Sequence, residues 1–214
     1  MIPKTLEQKL NEGRQYRDFS ALVPQDDMVV DGYATTFNEP YLLYRDSGYE
    51  VWEQVDPHAF DEADMTDVVM QYDHAGRVFA RQSNGTLTLR TDEHGLHVTA
   101  LLGGTELGRQ LYEEIKGGYT SKMSFGFTVG EDKREITENG ESVRVYRTIL
   151  KIERLYDVSA VSLPANDGTS ISARTYCEGV IAEVAEECRI RAERKAQIER
   201  IKALTEVNYE RKNY

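Results

Sequence analysis

Between Ser121 and Val129 the chain reads Ser-Lys-Met-Ser-Phe-Gly-Phe-Thr-Val, and this alternation restricts the stretch to an extended strand. Side chains on a strand point to opposite faces in turn, so Phe125, Phe127 and Val129 share one face while Ser124, Gly126 and Thr128 share the other. A packed apolar face can then hold the Ser124 hydroxyl toward a cleft. The same pattern describes an ordinary half-buried strand with an unremarkable serine, so the rest of the chain has to decide between the two.

Strand patterning dominates the flanking sequence. Met28–Phe37 carries the β-branched and aromatic residues of a core strand, with Gly32 as a candidate bulge. Residues 38–56, rich in tyrosine and acids, fit a strand pair or an exposed loop, and Asp56-Pro-His-Ala-Phe60 reads as a turn entering a short helical segment with Pro57 in its first turn. In Asp67–His74, Val68, Met70, Tyr72 and His74 fall on one face at period two, which ends a strand at His74 beside an Ala75–Gly76 turn. Thr86–Arg90 and Gly95–Leu102, joined by the turn Asp92-Glu-His-Gly95, suggest an antiparallel hairpin or meander. Thr105 is a helix N-cap, followed by Leu107, Leu111 and Ile115 at helical spacing and closed by Gly117-Gly118. Two more strands, Val143–Ile152 and Leu155–Leu163, follow a hairpin loop around Asn139-Gly140. The expected class is a β-rich α+β fold, a barrel with one or two helices.

A chain of 214 residues accommodates one such domain with appendages. Residues 1–27 read as an N-terminal arm, 28–172 as the domain, and 173–214 as a helical, charged C-terminal tail. From Glu178 onward the tail has eight acids and eight bases around a thin apolar stripe, the pattern of a solvated or partner-binding helix. The formal net charge of -11 therefore resides ahead of the tail, and it argues against a nucleic-acid partner, whose phosphates need clustered Lys and Arg. No leader-like apolar segment and no run long enough to cross a bilayer is present, so a cytosolic protein with no membrane partner is expected. Cys177 and Cys188 lack metal-ligand spacing, and His94 and His97 lack the His-x-x-x-His spacing of a helical metal site; neither metal nor cofactor is expected.

Nucleophilic serine chemistry needs a base within hydrogen-bond reach and a third group to orient it. Four histidines are available: His58, His74, His94 and His97. His74 is favoured by its place at a strand end, where functional side chains emerge. Asp73 precedes it, but neighbours on a strand face opposite ways, so Asp73 is a poor orienting group. Asp157, inside the apolar run Leu155-Tyr-Asp-Val-Ser-Ala-Val161, stands out as a carboxylate that is costly to bury without a partner, or else as an edge-strand acid facing water.

Taken in order, Val30-Asp-Gly-Tyr-Ala-Thr-Thr-Phe-Asn38, Asp56-Pro-His-Ala-Phe60, Gln71-Tyr-Asp-His74 with Arg81 downstream, Ser121–Phe127 and Leu155–Ala165 resemble the HK97-type prohead serine proteases of tailed bacteriophages. That family is similar in fold to the herpesvirus assemblin proteases, so the resemblance implies an assemblin-like β-barrel flanked by helices. It also implies His74 as general base, Ser124 as nucleophile and Asp157 as the acidic third member. Two positions depart from the family pattern: His58 stands where a small residue is common, and Asp157 where glutamate is usual. The implied activity is endopeptidase cleavage during procapsid maturation, inside the procapsid in the host bacterial cytoplasm. The implied substrates are the scaffolding segment of the major capsid protein and the protease itself. The alternative is a non-catalytic scaffold or capsid-binding module that keeps the protease fold.

Overall fold

The computed structural model describes residues 13–139, 142–161 and 171–212, and the chain divides into two units, Met1–Thr175 and Tyr176–Tyr214. The spine of the first unit is a long antiparallel pair, β10 (Lys122–Asn139) and β11 (Ser142–Val161), which runs from Lys122 against Val161 to Asn139 against Ser142 with register shifts between Gly126 and Asp132. On the outer edge of β10 lies β1 (Gln15–Ala21). The free edge of β11 is divided between two strands parallel to it. β5 (Tyr49–Val55) pairs with Val143–Ile149, and β6 (Val69–Tyr72) pairs with Asp157–Ala160. β4 (Tyr41–Asp46) continues the sheet beyond β5, and β7 (Ala75–Arg81) continues it beyond β6.

A second sheet of four strands runs β2 (Val23–Pro24), β3 (Val29–Thr36), β9 (Gly95–Leu101) and β8 (Leu87–Thr91). The fold is thus strand-rich α+β. The expected closed barrel is not seen among the described residues: because β5 and β6 share one edge of β11, the seven-stranded sheet forks, and its paths end at β1, β4 and β7. A barrel abolishes edges, whereas this sheet keeps them.

One apolar cluster joins the two sheets. Val30, Ala34, Leu96, Val98 and Ala100 from the smaller sheet meet Met123, Phe125, Phe127, Ile149, Ile152, Leu155 and Val158 from the larger one. Helix α1 (Glu106–Lys116) adds Leu111, Tyr112 and Ile115. Thr105 caps it, its hydroxyl accepting from the Gly108 N–H at 2.9 Å, while Leu107 faces outward and Tyr112 takes the inward place.

Local features differ from the sequence reading, and the expected short helical segment after Asp56 is instead a series of turns over residues 57–62. Residues 15–21 are a strand of the large sheet rather than part of an arm, and residues 1–12 lie outside the described ones. Gly32 pairs regularly with Val98, and the irregularity of β3 falls between Tyr33 and Thr35. The charged pair Glu153-Arg154, read as a break, instead lies within continuous β11. There the Asp64 backbone bonds both the Glu153 carbonyl and the Leu155 N–H, so the polar main chain is satisfied without a turn. The strand carrying Ser124 is 18 residues long, and it is buried on both faces from Met123 to Thr128.

The second unit consists of helix α2, which spans Ile171–Lys212 and so begins within the first unit's residues. Arg189 pairs with Glu186 and Glu193 on its exposed surface, at the i,i+3 and i,i+4 spacings that support a solvated helix. Neither described helix is long and apolar enough to cross a membrane.

Candidate active site

Tyr72 pairs with Ala75, so the β6–β7 hairpin closes on only two residues, Asp73 and His74. Their φ angles are 47° and 56°, the positive pair of a type I′ turn, which matches strand twist but favours glycine and asparagine. His74 is therefore in the loop itself rather than at the end of a strand. Left-handed backbone at two non-glycine residues costs on the order of 1 kcal/mol each, and persists where the surroundings over-determine it. Here the Asp73 N–H donates to the Ala160 carbonyl at 3.0 Å and the His74 N–H to the Ser159 hydroxyl at 3.3 Å. At the mouth of β6, Asp67 is clamped by Arg81, whose Nε donates to both carboxylate oxygens at 2.8 Å.

The turn aims the imidazole back at the sheet. His74 Nδ1 lies 2.5 Å from Asp157 Oδ1, and Nε2 lies 2.6 Å from Ser124 Oγ. All three side chains are buried. Nδ1–H donating to the carboxylate leaves Nε2 as the acceptor for the serine hydroxyl, the arrangement a general base requires. Ser159, fully buried, donates to Asp157 Oδ1 at 3.0 Å while accepting from the His74 backbone, so one hydroxyl holds the carboxylate and the strained turn together.

A bulge in β11 decides which way Asp157 points. Gly126 pairs with Asp157 but Phe127 pairs with Leu155, which leaves Tyr156 as the extra residue. On a regular strand Leu155 and Asp157 would share a face. The extra residue lets Leu155 join Phe127 in the core while Asp157 stays with Gly126 on the face of Ser124 and Ser159.

Gly126 has a steric role at this point. A Cβ there would come within 2.6 Å of Asp157 Oδ2 and 2.8 Å of Tyr16 Cε1. Gly126→Ala should therefore displace the carboxylate or the ring. A loss of about 1–3 kcal/mol in urea unfolding is expected, as for other overpacked sites.

Behind the site, on the opposite face of β1, lies a buried charge cluster. Arg17 grips Glu53 through Nε at 2.5 Å and Nη2 at 2.9 Å, and Arg147 donates to Glu53 at 2.7 Å. Tyr41 OH donates to the same carboxylate at 2.5 Å, Gln15 accepts from both guanidiniums, and Arg147 also pairs with Asp132. Burial alone would raise the Glu53 carboxyl, but the two arginines outweigh it and hold the pKa at about 2.

The other histidines are elsewhere. His58 is exposed and bonds Asp61 at 2.9 Å, while His94 and His97 pack edge-on against Tyr33 of the smaller sheet. Among the described residues no group of three or more His, Cys, Asp or Glu is placed to hold a metal ion. Sequence reasoning passed over two residues here. Ser159 carries a readable signal, being two positions from Asp157 on one strand face. Tyr16, whose ring lies against His74, carries none.

The profile of the caudovirus prohead serine proteases matches residues 18–181, a span holding β3 to β11 and all three of His74, Ser124 and Asp157. The chain belongs to that family. Among solved structures it is similar to the bacteriophage T4 capsid assembly protease gp21, at 11% identity and a TM-score of 0.41, covering 71% of this chain and 98% of that one. No curated protein sequence matches. For a prohead serine protease family member the buried Asp157–His74–Ser124 chain is the geometry of interest, and it draws on three separate parts of the sequence.

Proposed function

We propose that this protein is a serine endopeptidase of procapsid maturation, with Ser124 as nucleophile, His74 as general base and Asp157 as the group that orients the imidazole. The observation that carries this reading is the unbroken hydrogen-bond chain from Asp157 through both ring nitrogens of His74 to Ser124 Oγ. In acylation the Ser124 oxygen bonds to the scissile carbonyl carbon as its proton passes to Nε2, and the carbonyl electrons move onto oxygen. Collapse of that intermediate breaks the C–N bond, and the imidazolium returns the proton to the departing amine. Water then repeats the sequence on the acyl ester with His74 again as base. Asp157 keeps Nδ1 protonated throughout and faces the positive charge when the ring becomes imidazolium; Ser159 steadies the carboxylate in both states.

The substrates on this reading are the scaffolding segment of the major capsid protein and the protease chain itself. The place of action is inside the procapsid in the host cytoplasm. The domain responsible spans about residues 28–172 together with β1, and the charged segment from 173 is a packaging or self-cleaved region. Co-expression with the capsid precursor of the same phage tests the proposal by intact mass. The expected result is shortened capsid protein with the native chain and full-length precursor with Ser124→Ala. Equal shortening by both chains would sink the assignment. Absence of shortening by either, with assembly intact, would favour the non-catalytic module.

A further inference from the structure

We infer that Tyr16 is a positioning residue of this site, its ring serving as one wall of the pocket that holds the His74 imidazole. The inference rests on the serine protease reading above. Tyr16, Gly126 and Asp157 are successive partners across β1, β10 and β11. The middle residue of the three has no side chain, and a Cβ on it would touch both Asp157 and the Tyr16 ring. Through that gap the ring leans over β10 and meets the imidazole, with centroids 4.3 Å apart and planes tilted by 53°. Tyr16 is buried, so water is kept from this side of the His74–Asp157 contact.

Two properties make a tyrosine ring useful there. Burial first, and then the Asp157 charge, push the phenol up to about 12, so it stays neutral at any working pH and adds no second anion beside the carboxylate. Its π-system also favours a cation over a neutral ring, and His74 becomes a cation only after it takes the Ser124 proton. The contact thus strengthens along the reaction, which is the condition for raising kcat rather than tightening substrate binding. Strand β1, which carries Tyr16, is held by the next residue: Arg17 donates to the Tyr16 carbonyl at 2.9 Å and grips Glu53.

The test uses the full chain and p-nitrophenyl acetate, whose acyl transfer to serine is read by released nitrophenolate. Native protein is compared with Ser124→Ala, Tyr16→Leu and Tyr16→Phe, the fold of each verified by circular dichroism and thermal melting. Expected is a fall in kcat of at least tenfold for Tyr16→Leu with KM within about twofold of native, and recovery in Tyr16→Phe of at least a third of native kcat. Should the leucine variant unfold, Tyr16→Met keeps a similar apolar volume without a ring and takes its place. If native protein hydrolyses the ester no faster than Ser124→Ala, the protease reading itself fails. If the native chain is active and the leucine or methionine variant equals it, or if Tyr16→Phe falls as far as they do, the positioning role is wrong.

Discussion

Ser124→Ala should lower peptide hydrolysis by on the order of ten-thousand-fold or more, as removal of a triad nucleophile does elsewhere. Its thermal transition should stay within a few degrees of native. The two expectations follow from the same geometry. Ser124 is fully buried in the middle of the sheet, paired with Ser159 on one side and Asp18 on the other, so the backbone is fixed without the hydroxyl. Removing Oγ deletes one hydrogen bond, worth about 1 kcal/mol net, yet it deletes the hydroxyl that lies 2.6 Å from His74 Nε2 and that the proposed mechanism uses for attack. Asp157→Asn should show the complementary pattern. An amide presents either an oxygen or an NH2 to Nδ1 and no longer imposes one tautomer, so kcat should fall by roughly three to four orders of magnitude with the protein still folded. Steady-state kinetics beside a melting curve checks both, and a variant that loses activity only by melting would contradict the assignment.

The largest loss of stability is expected at Glu53. Its carboxylate lies between two buried guanidiniums, and Glu53→Ala leaves those charges facing an emptied site; breaking a buried pair on one side costs about 3–5 kcal/mol. Urea unfolding followed by circular dichroism should show the midpoint falling accordingly. Activity should suffer before global unfolding, because Arg17 anchors β1 and the adjacent Tyr16 lies against His74. The pH dependence has a fixed sign. The folded pKa, about 2, is below the ordinary 4.5, so this contribution is fully present above about pH 4.5 and is lost as pH falls toward 2. A shift of that size corresponds to about 3 kcal/mol at roughly 1.4 kcal/mol per unit. In the Glu53→Gln variant this acid-side slope should flatten, and an unchanged slope would assign acid lability to other carboxylates.

Buried charge has a structural use here that apolar residues would not reproduce. Gln15 and Arg17 of β1 meet Glu53 of β5 and Arg147 of β11 across one face of the sheet, which selects a single position for a strand at the sheet's edge. A β1 shifted by one residue would turn Arg17 to the active-site face and Tyr16 away from His74, since strand side chains alternate.

Local chemistry was enough to read many parts of this protein. The alternation of residues 121–129, the Asp92–Gly95 turn and the Thr105 cap each depend on residues a few positions apart, and period and propensity report such short-range preferences directly. So does the likeness of the blocks around His74, Ser124 and Asp157 to one protease family. Tertiary structure alone decided what those blocks do to one another. The chain has four histidines, and only the positive-φ turn at Asp73-His74 brings one of them to Ser124. Asp157 would face the core with Leu155 were Tyr156 not extruded as a bulge, and a bulge is a property of two strands in register, not of either sequence. Tyr16 is separated from His74 in the chain by the rest of β1 and the whole of β2 to β6, and its contact exists because Gly126, on a third segment, leaves room for the ring. Period two tells which residues share a face of one strand; which faces meet depends on pairing energies summed over the whole sheet.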